Sequence, residues 1–144
     1  MKWLVALVAC LWASSIFGQV PGPSTGTGYP SGSIPLVVGV TGTTGAVTAS
    51  LPGSPGRLTY MCGLHIDAAG SGAIGPITIT GLAGGTTWTY QATAGNSGTS
   101  PPVQTYSPCI PANAANTAIV VTTSADGTAS AVDINTWGYQ LPIN

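Results

Sequence analysis

The chain reads as an all-β protein: an antiparallel β-sandwich of about eight strands, with the jelly roll as a candidate topology. Three observations predict this. From Ser33 onward, short apolar runs alternate with Gly, Pro, Asn and Asp clusters every ten residues or so. No segment keeps a 3.6-residue period, and 21 Gly and 12 Pro recur too often for long helices. The best single segment, Arg57 to Asp67, alternates strictly over eleven residues.

The first element is a leader. Lys2 supplies a positive start, Trp3 to Trp12 is an apolar run of h-region length, and small residues follow at Ala13, Ser14, Ser15 and Gly18. Residues 1–18 therefore read as a signal peptide cut between Ser15 and Gln19. The apolar stretch to Phe17 falls short of the roughly 20 residues that span a bilayer, so no membrane span is expected after cleavage. Leu7-Val-Ala-Cys10 resembles a lipoprotein cleavage box by chance, because few apolar residues precede it. Residues 19–32 (QVPGPSTGTGYPSG) have almost nothing apolar to bury and read as a flexible tether. The domain is then 33–144.

Within it, Ile34, Leu36, Val38 and Val40 alternate as a first strand, and Val47, Ala49 and Leu51 as a second. In Arg57–Asp67, one face carries Leu58, Tyr60, Cys62, Leu64 and Ile66, expected inward. The other carries Arg57, Thr59, Met61, Gly63, His65 and Asp67. Ile77 with Ile79 and Trp88 with Tyr90 mark two more strands, and Val103 to Ser107 a weaker one. Ala118 to Thr123 is a continuous β-branched run, the signature of a central strand. In Thr128 to Leu141, Val132 and Ile134 are even but Trp137, Tyr139 and Leu141 odd, which predicts a β-bulge near Asn135 or Thr136, or a bend serving two sheets. Pro111 to Asn116 could form one helical turn with Pro111 early in it.

Charge excludes several functions. Only Lys2, Arg57, Asp67, Asp126 and Asp133 are charged, 3% of the chain against about one-quarter in ordinary domains. Catalysis needs titratable groups placed together, and nucleic-acid binding needs a basic patch; neither enzyme nor nucleic-acid partner is expected. Self-repulsion is also weak, which favours association. Once Cys10 leaves with the leader, Cys62 and Cys109 remain as an even pair in an oxidising compartment, and a bridge would close a loop of roughly fifty residues. A metal site is the rival reading, but two thiols and one distant His make no zinc set, so no metal and no cofactor are expected.

The remaining candidates have plain structural readings beside them. His65 and Asp67 share the outward face of one strand, with Arg57 at its start. A hydrolase reading would make His65 a general base oriented by Asp67, with one of the many Ser or Thr residues as nucleophile. Residues two apart on a strand project side by side about 7 Å apart, and no GxSxG elbow accompanies them, so a solvated polar face is expected. Asp67, Asp126 and Asp133 could ligate calcium, but Ser124-Ala-Asp126-Gly127 fits a tight turn. Trp88 and Tyr90 read as core. Trp137 and Tyr139 remain open as ligand-stacking residues for a sugar. Gly81 to Gly85 lacks a Lys and reads as a hairpin turn, not a phosphate loop. No Asn-x-Ser/Thr acceptor occurs.

Thr59-Tyr-Met-Cys-Gly-Leu-His-Ile66, Pro108-Cys-Ile-Pro-Ala-Asn-Ala-Ala-Asn-Thr-Ala-Ile-Val-Val121 and Trp137-Gly-Tyr-Gln-Leu141 form a familiar pattern. It resembles small β-rich proteins of bacterial and prophage genomes, some encoded beside virion structural genes. The resemblance covers roughly Gly45 to Leu141. It implies a Cys62–Cys109 pairing and a surface or virion structural role, and it brings no catalytic residues. The leader departs from the virion pattern and favours an extracellular relative. The expected protein is thus a secreted or cell-surface structural or attachment domain. Its partner is itself, another surface protein or a glycan. One route to assembly is strand addition: Ile34, Leu36, Val38 and Val40 pairing with a neighbouring domain, the alternative being that they complete their own sheet.

Overall fold

The computed structural model describes residues 28–43, 45–69, 75–91, 103–124 and 131–143. The residues read as a leader, most of those read as a tether, Asp126 and the start of the final strand segment at 128–130 lie outside the described residues. Eight strands follow in order: β1 (Ile34–Gly42), β2 (Thr48–Leu51), β3 (Arg57–Ala69), β4 (Pro76–Thr80), β5 (Trp88–Gln91), β6 (Val103–Pro111), β7 (Ile119–Thr122) and β8 (Ala131–Pro142). Each of the eight expected strand segments is present.

They form two antiparallel four-stranded sheets, β1-β8-β3-β6 and β2-β7-β4-β5. The first, here the long sheet, has strands of 9 to 13 residues; those of the short sheet have 4 or 5. The chain pairs β1 with β8, β2 with β7, β3 with β6 and β4 with β5. That is one long hairpin rolled up on itself, with β3·β8 and β4·β7 closing each sheet, which is the jelly-roll order. β7 is central, between β2 and β4, as its continuous β-branched run requires.

The core lies between the sheets. Leu64, Ile66, Val132 and Ile134 of the long sheet meet Ala49, Leu51, Ile77, Ile79, Ile119 and Val121 of the short one. Each fully buried Leu or Ile contributes about 1.5–3 kcal/mol of transfer free energy. On one side Trp88 and Tyr90 reach across from β5 to Tyr106 of β6. The two tyrosine hydroxyls are 2.7 Å apart, and the Trp88 and Tyr106 rings meet edge to face at 6.0 Å. Burial first, then the hydrogen bond to Tyr90, pushes the Tyr106 hydroxyl well above the usual phenol range.

β3 departs from strict alternation. Opposite β8, Met61 pairs with Gly138 and Gly63 with Trp137, leaving Cys62 as an extra residue. Opposite β6 the mismatch is larger: Met61 faces Ile110 and Gly63 faces Thr105, so Cys62 alone spans Tyr106–Cys109. The bulge flips the faces. Before it Thr59 and Met61 are buried; after it Leu64 and Ile66 are. Thr59 and Met61 therefore take the core positions that alternation assigned to the other face, and Tyr60 turns outward. Leu58 is half-buried against the core, and Cys62 is buried at the bulge itself, bonded to Cys109 with the Cα atoms 4.3 Å apart. Within the bulged part of β6 the Ser107–Pro108 peptide is cis.

β8 shows no change of parity. Its even residues keep the core face from Val132 to Gln140. The odd aromatics were never meant to be inside. What misled the pattern were the inward polar and small residues, each of which serves a neighbour. Thr136 donates to the Gly63 carbonyl beside the bulge at 3.1 Å. Gly138 lets the Tyr60 carbonyl approach so closely that an added Cβ would lie 1.8 Å from it. The Gln140 amide donates to the Pro52 carbonyl at 2.7 Å and to the Thr59 hydroxyl at 3.2 Å. The helical turn expected at Pro111–Asn116 is absent. Pro111 ends β6, and the chain turns through Asn116, whose φ of 59° is left-handed.

Candidate functional site: the outer face and free edge of the long sheet

Cross-strand register sets the outward side chains of the long sheet in rows, four of which run in succession from the Tyr60 pairing to the Asp67 pairing. The first is Pro35, Tyr139, Tyr60 and Pro111. The second is Val37, Trp137, Gly63 and Thr105; the third Gly39, Asn135, His65 and Val103. The fourth holds Thr41, Asp133 and Asp67. Rows lie about 7 Å apart, two residues of strand rise. The face thus grades from aromatic, through amide and imidazole, to carboxylate.

Tyr139 stacks on Tyr60 with centroids 4.8 Å apart and is covered further by Tyr29 at 5.3 Å. Tyr29 belongs to the end of the segment read as a tether, so that end is seated on the sheet. Only 8% of Tyr139 remains exposed, and burial followed by the neighbouring Tyr60 raises its hydroxyl pKa. It has no free ring face for a ligand. Trp137 differs. Its indole lies over the bare backbone of Gly63, where a Cβ would come within 2.3 Å of Cζ2, and the residue is only half-buried. Of the two stacking candidates, Trp137 alone keeps open ring surface.

His65 and Asp67 lie two residues apart on the outer face of β3. His65 stands opposite Asn135 and Val103, and Asp67 opposite Asp133. Arg57 lies at the far end of β3, roughly 26 Å away at strand rise, with Nη1 buried and unpaired. Asp133 accepts a hydrogen bond from the Thr41 hydroxyl. Asp67 and Asp133 are brought together, while Asp126 lies outside the described residues. No group of three or more His, Cys, Asp or Glu occurs among the described residues.

β1 pairs with β8 of its own chain along all nine residues, so Ile34, Leu36, Val38 and Val40 complete their own sheet. Leu36, Val38 and Val40 pack against the core. Its other side is a sheet edge, uncharged from Ile34 to Gly42, with Val37 76% exposed on the outer face. Sequence reasoning missed Val37, Asn135 and the seat that Gly63 provides. Reading β8 as continuous would have placed Asn135, because it shares the odd face with Trp137; Val37 and Gly63 lie on neighbouring strands, and only the register brings them beside Trp137. Compared with known families and curated proteins, the chain matches no family model and no curated sequence.

Proposed function

We propose that this protein acts without catalysis, as an exported jelly-roll domain that joins copies of itself through the free edge of β1. The observation that carries the reading is that edge: nine residues without charge, with Pro35 near one end and, among the described residues, Val47 packed close to Gly42 at the other. Natural sheets protect such edges with lysines, bulges or covering loops, because an open row of backbone donors and acceptors templates a further strand. Proline is tolerated at an edge with its missing N–H facing outward, which leaves the run after Pro35 able to pair. The low charge of the chain removes the repulsion that would keep copies apart. A non-catalytic role is supported by the scarcity of titratable groups. Export is supported by the leader-like residues 1–18, and the Cys62–Cys109 bond is compatible with an oxidising compartment. The likeness to prophage-encoded β-rich proteins favours a structural, surface-attached setting.

Light scattering after size exclusion, across a concentration series, tests this. Wild type should pass from monomer to dimer or larger, whereas Val37→Lys, with a charge at the exposed edge, should remain monomeric with an unchanged melting temperature. A wild type that stays monomeric at high concentration refutes the proposal.

A further inference from the structure

We infer that the outer face of the long sheet is a binding site for a neutral carbohydrate, with Trp137 as the stacking platform and Asn135, His65, Asp67 and Asp133 as the hydrogen-bonding rows beyond it. This goes past the edge-pairing reading and does not depend on it. The indole of Trp137 is fixed by its seat on Gly63, so little rotamer freedom is lost when a ligand covers it. An aromatic ring fixed in this way suits the C–H face of a sugar, an apolar surface edged by hydroxyls. One row further along the strands, exposed Asn135 stands opposite His65 and lays its amide oxygen over the bare backbone of Gly39 on its other side. Another row on, the carboxylates of Asp133 and Asp67 stand opposite each other, with the Thr41 hydroxyl bonded to Asp133.

Carboxylate and amide oxygens accept from sugar hydroxyls, and the amide and imidazole N–H groups donate to them. A saccharide lying along β8 and β3 would therefore stack one ring on Trp137 and direct the hydroxyls of the next toward the polar rows. Charge decides between ligand classes. The face carries two carboxylates and, among the described residues, no Lys or Arg, so phosphorylated, sulfated and nucleic-acid ligands are repelled while an uncharged polyol is not. The short sheet offers no equivalent. Its outer face is a field of hydroxyls, Thr48, Thr122, Thr78 and Thr89 in one cross-strand row, with no aromatic ring among them.

The test is titration of the full-length protein, at concentrations where it is monomeric, with neutral gluco-, manno-, galacto- and N-acetylglucosamine oligosaccharides, and with heparin as the anionic arm. Tryptophan emission and amide chemical shifts report binding. At least one neutral series should bind, shifting the Trp137, Asn135 and His65 signals together. Affinity should fall about tenfold or more in Trp137→Ala and several-fold in Asp67→Ala and Asn135→Ala. The last two alter exposed side chains, so they remain informative if Trp137→Ala does not fold. The inference is overturned if no neutral series binds, if heparin alone binds, or if binding survives Asn135→Ala and Asp67→Ala undiminished. Because the readout is taken on monomer, failure of edge pairing leaves it standing, and its own failure leaves edge pairing standing.

Discussion

The two edges of the long sheet could hardly be treated more differently. β6 is broken where Cys62 alone spans Tyr106–Cys109, carries Pro108 and Pro111, and is tied down by the Cys62–Cys109 bond. β1 is regular along its whole pairing with β8 and, among the described residues, has neither bulge, charge nor disulfide along it. Devices that spoil an edge are concentrated on one strand, although the composition that makes edges sticky is shared by the whole chain. The contrast teaches that low charge does not by itself make every edge available. Local irregularity differs between the two edges, and here it is concentrated on β6.

Removing the irregularity of β6 is the strongest perturbation. Reducing the disulfide, or replacing both cysteines by Ala, should cost about 2–5 kcal/mol, since it releases a loop with a sequence separation of 47. The melting temperature should drop by ten degrees or so in calorimetry with and without reductant. Two cysteines that react with an alkylating agent in the unfolded, unreduced protein would contradict the bridge.

The bulge can be strained from the β8 side. Gly138→Ala puts a Cβ within 1.8 Å of the Tyr60 carbonyl, a backbone atom that cannot swing aside. A loss of about 3 kcal/mol in denaturant unfolding is expected. Thr136→Val removes only the donor to the Gly63 carbonyl and should cost about 1–2 kcal/mol. If Thr136→Val proves neutral, the bulge does not depend on that bond.

The side closed by β5 and β6 should be sensitive to alkali. The Tyr106 pKa is raised by burial and by Tyr90, so the folded state holds its proton longer than the unfolded chain. Its stabilising share is whole below about pH 10, where an unfolded tyrosine begins to ionise, and is lost as the pH rises further. Stability measured from pH 8 to 11 should fall above about 10, and Tyr106→Phe should flatten that fall. Val37→Lys on the opposite edge should change monomer stability least, within about 0.5 kcal/mol.

How much of this was legible depends on where neighbours intervene. The eight strands were readable because period-two alternation and turn residues are local signals. The disulfide followed from an even pair of cysteines. The bulge was legible only as a symptom. Trp137 and Tyr139 break parity with Val132 and Ile134 in composition, but the inserted residue is Cys62, on the neighbouring strand, and Thr136 is buried because it serves the Gly63 carbonyl of that neighbour. No reading of β8 alone contains that fact. Tyr60 and Met61 exchanged faces for the same reason. Of the stacking candidates, the sequence marked both aromatics alike. Only the cover provided by Tyr29 and Tyr60, both far from Tyr139 in sequence, separates the covered Tyr139 from the open Trp137.

Amide hydrogen exchange, read by mass spectrometry on peptides covering Ile34–Gly42 and Val103–Pro111 at low and high protein concentration, tests the difference between the edges most directly. Protection in the β1 peptide should rise with concentration while that in the β6 peptide stays constant. Equal protection at both concentrations in β1, or a rise confined to β6, would contradict the account.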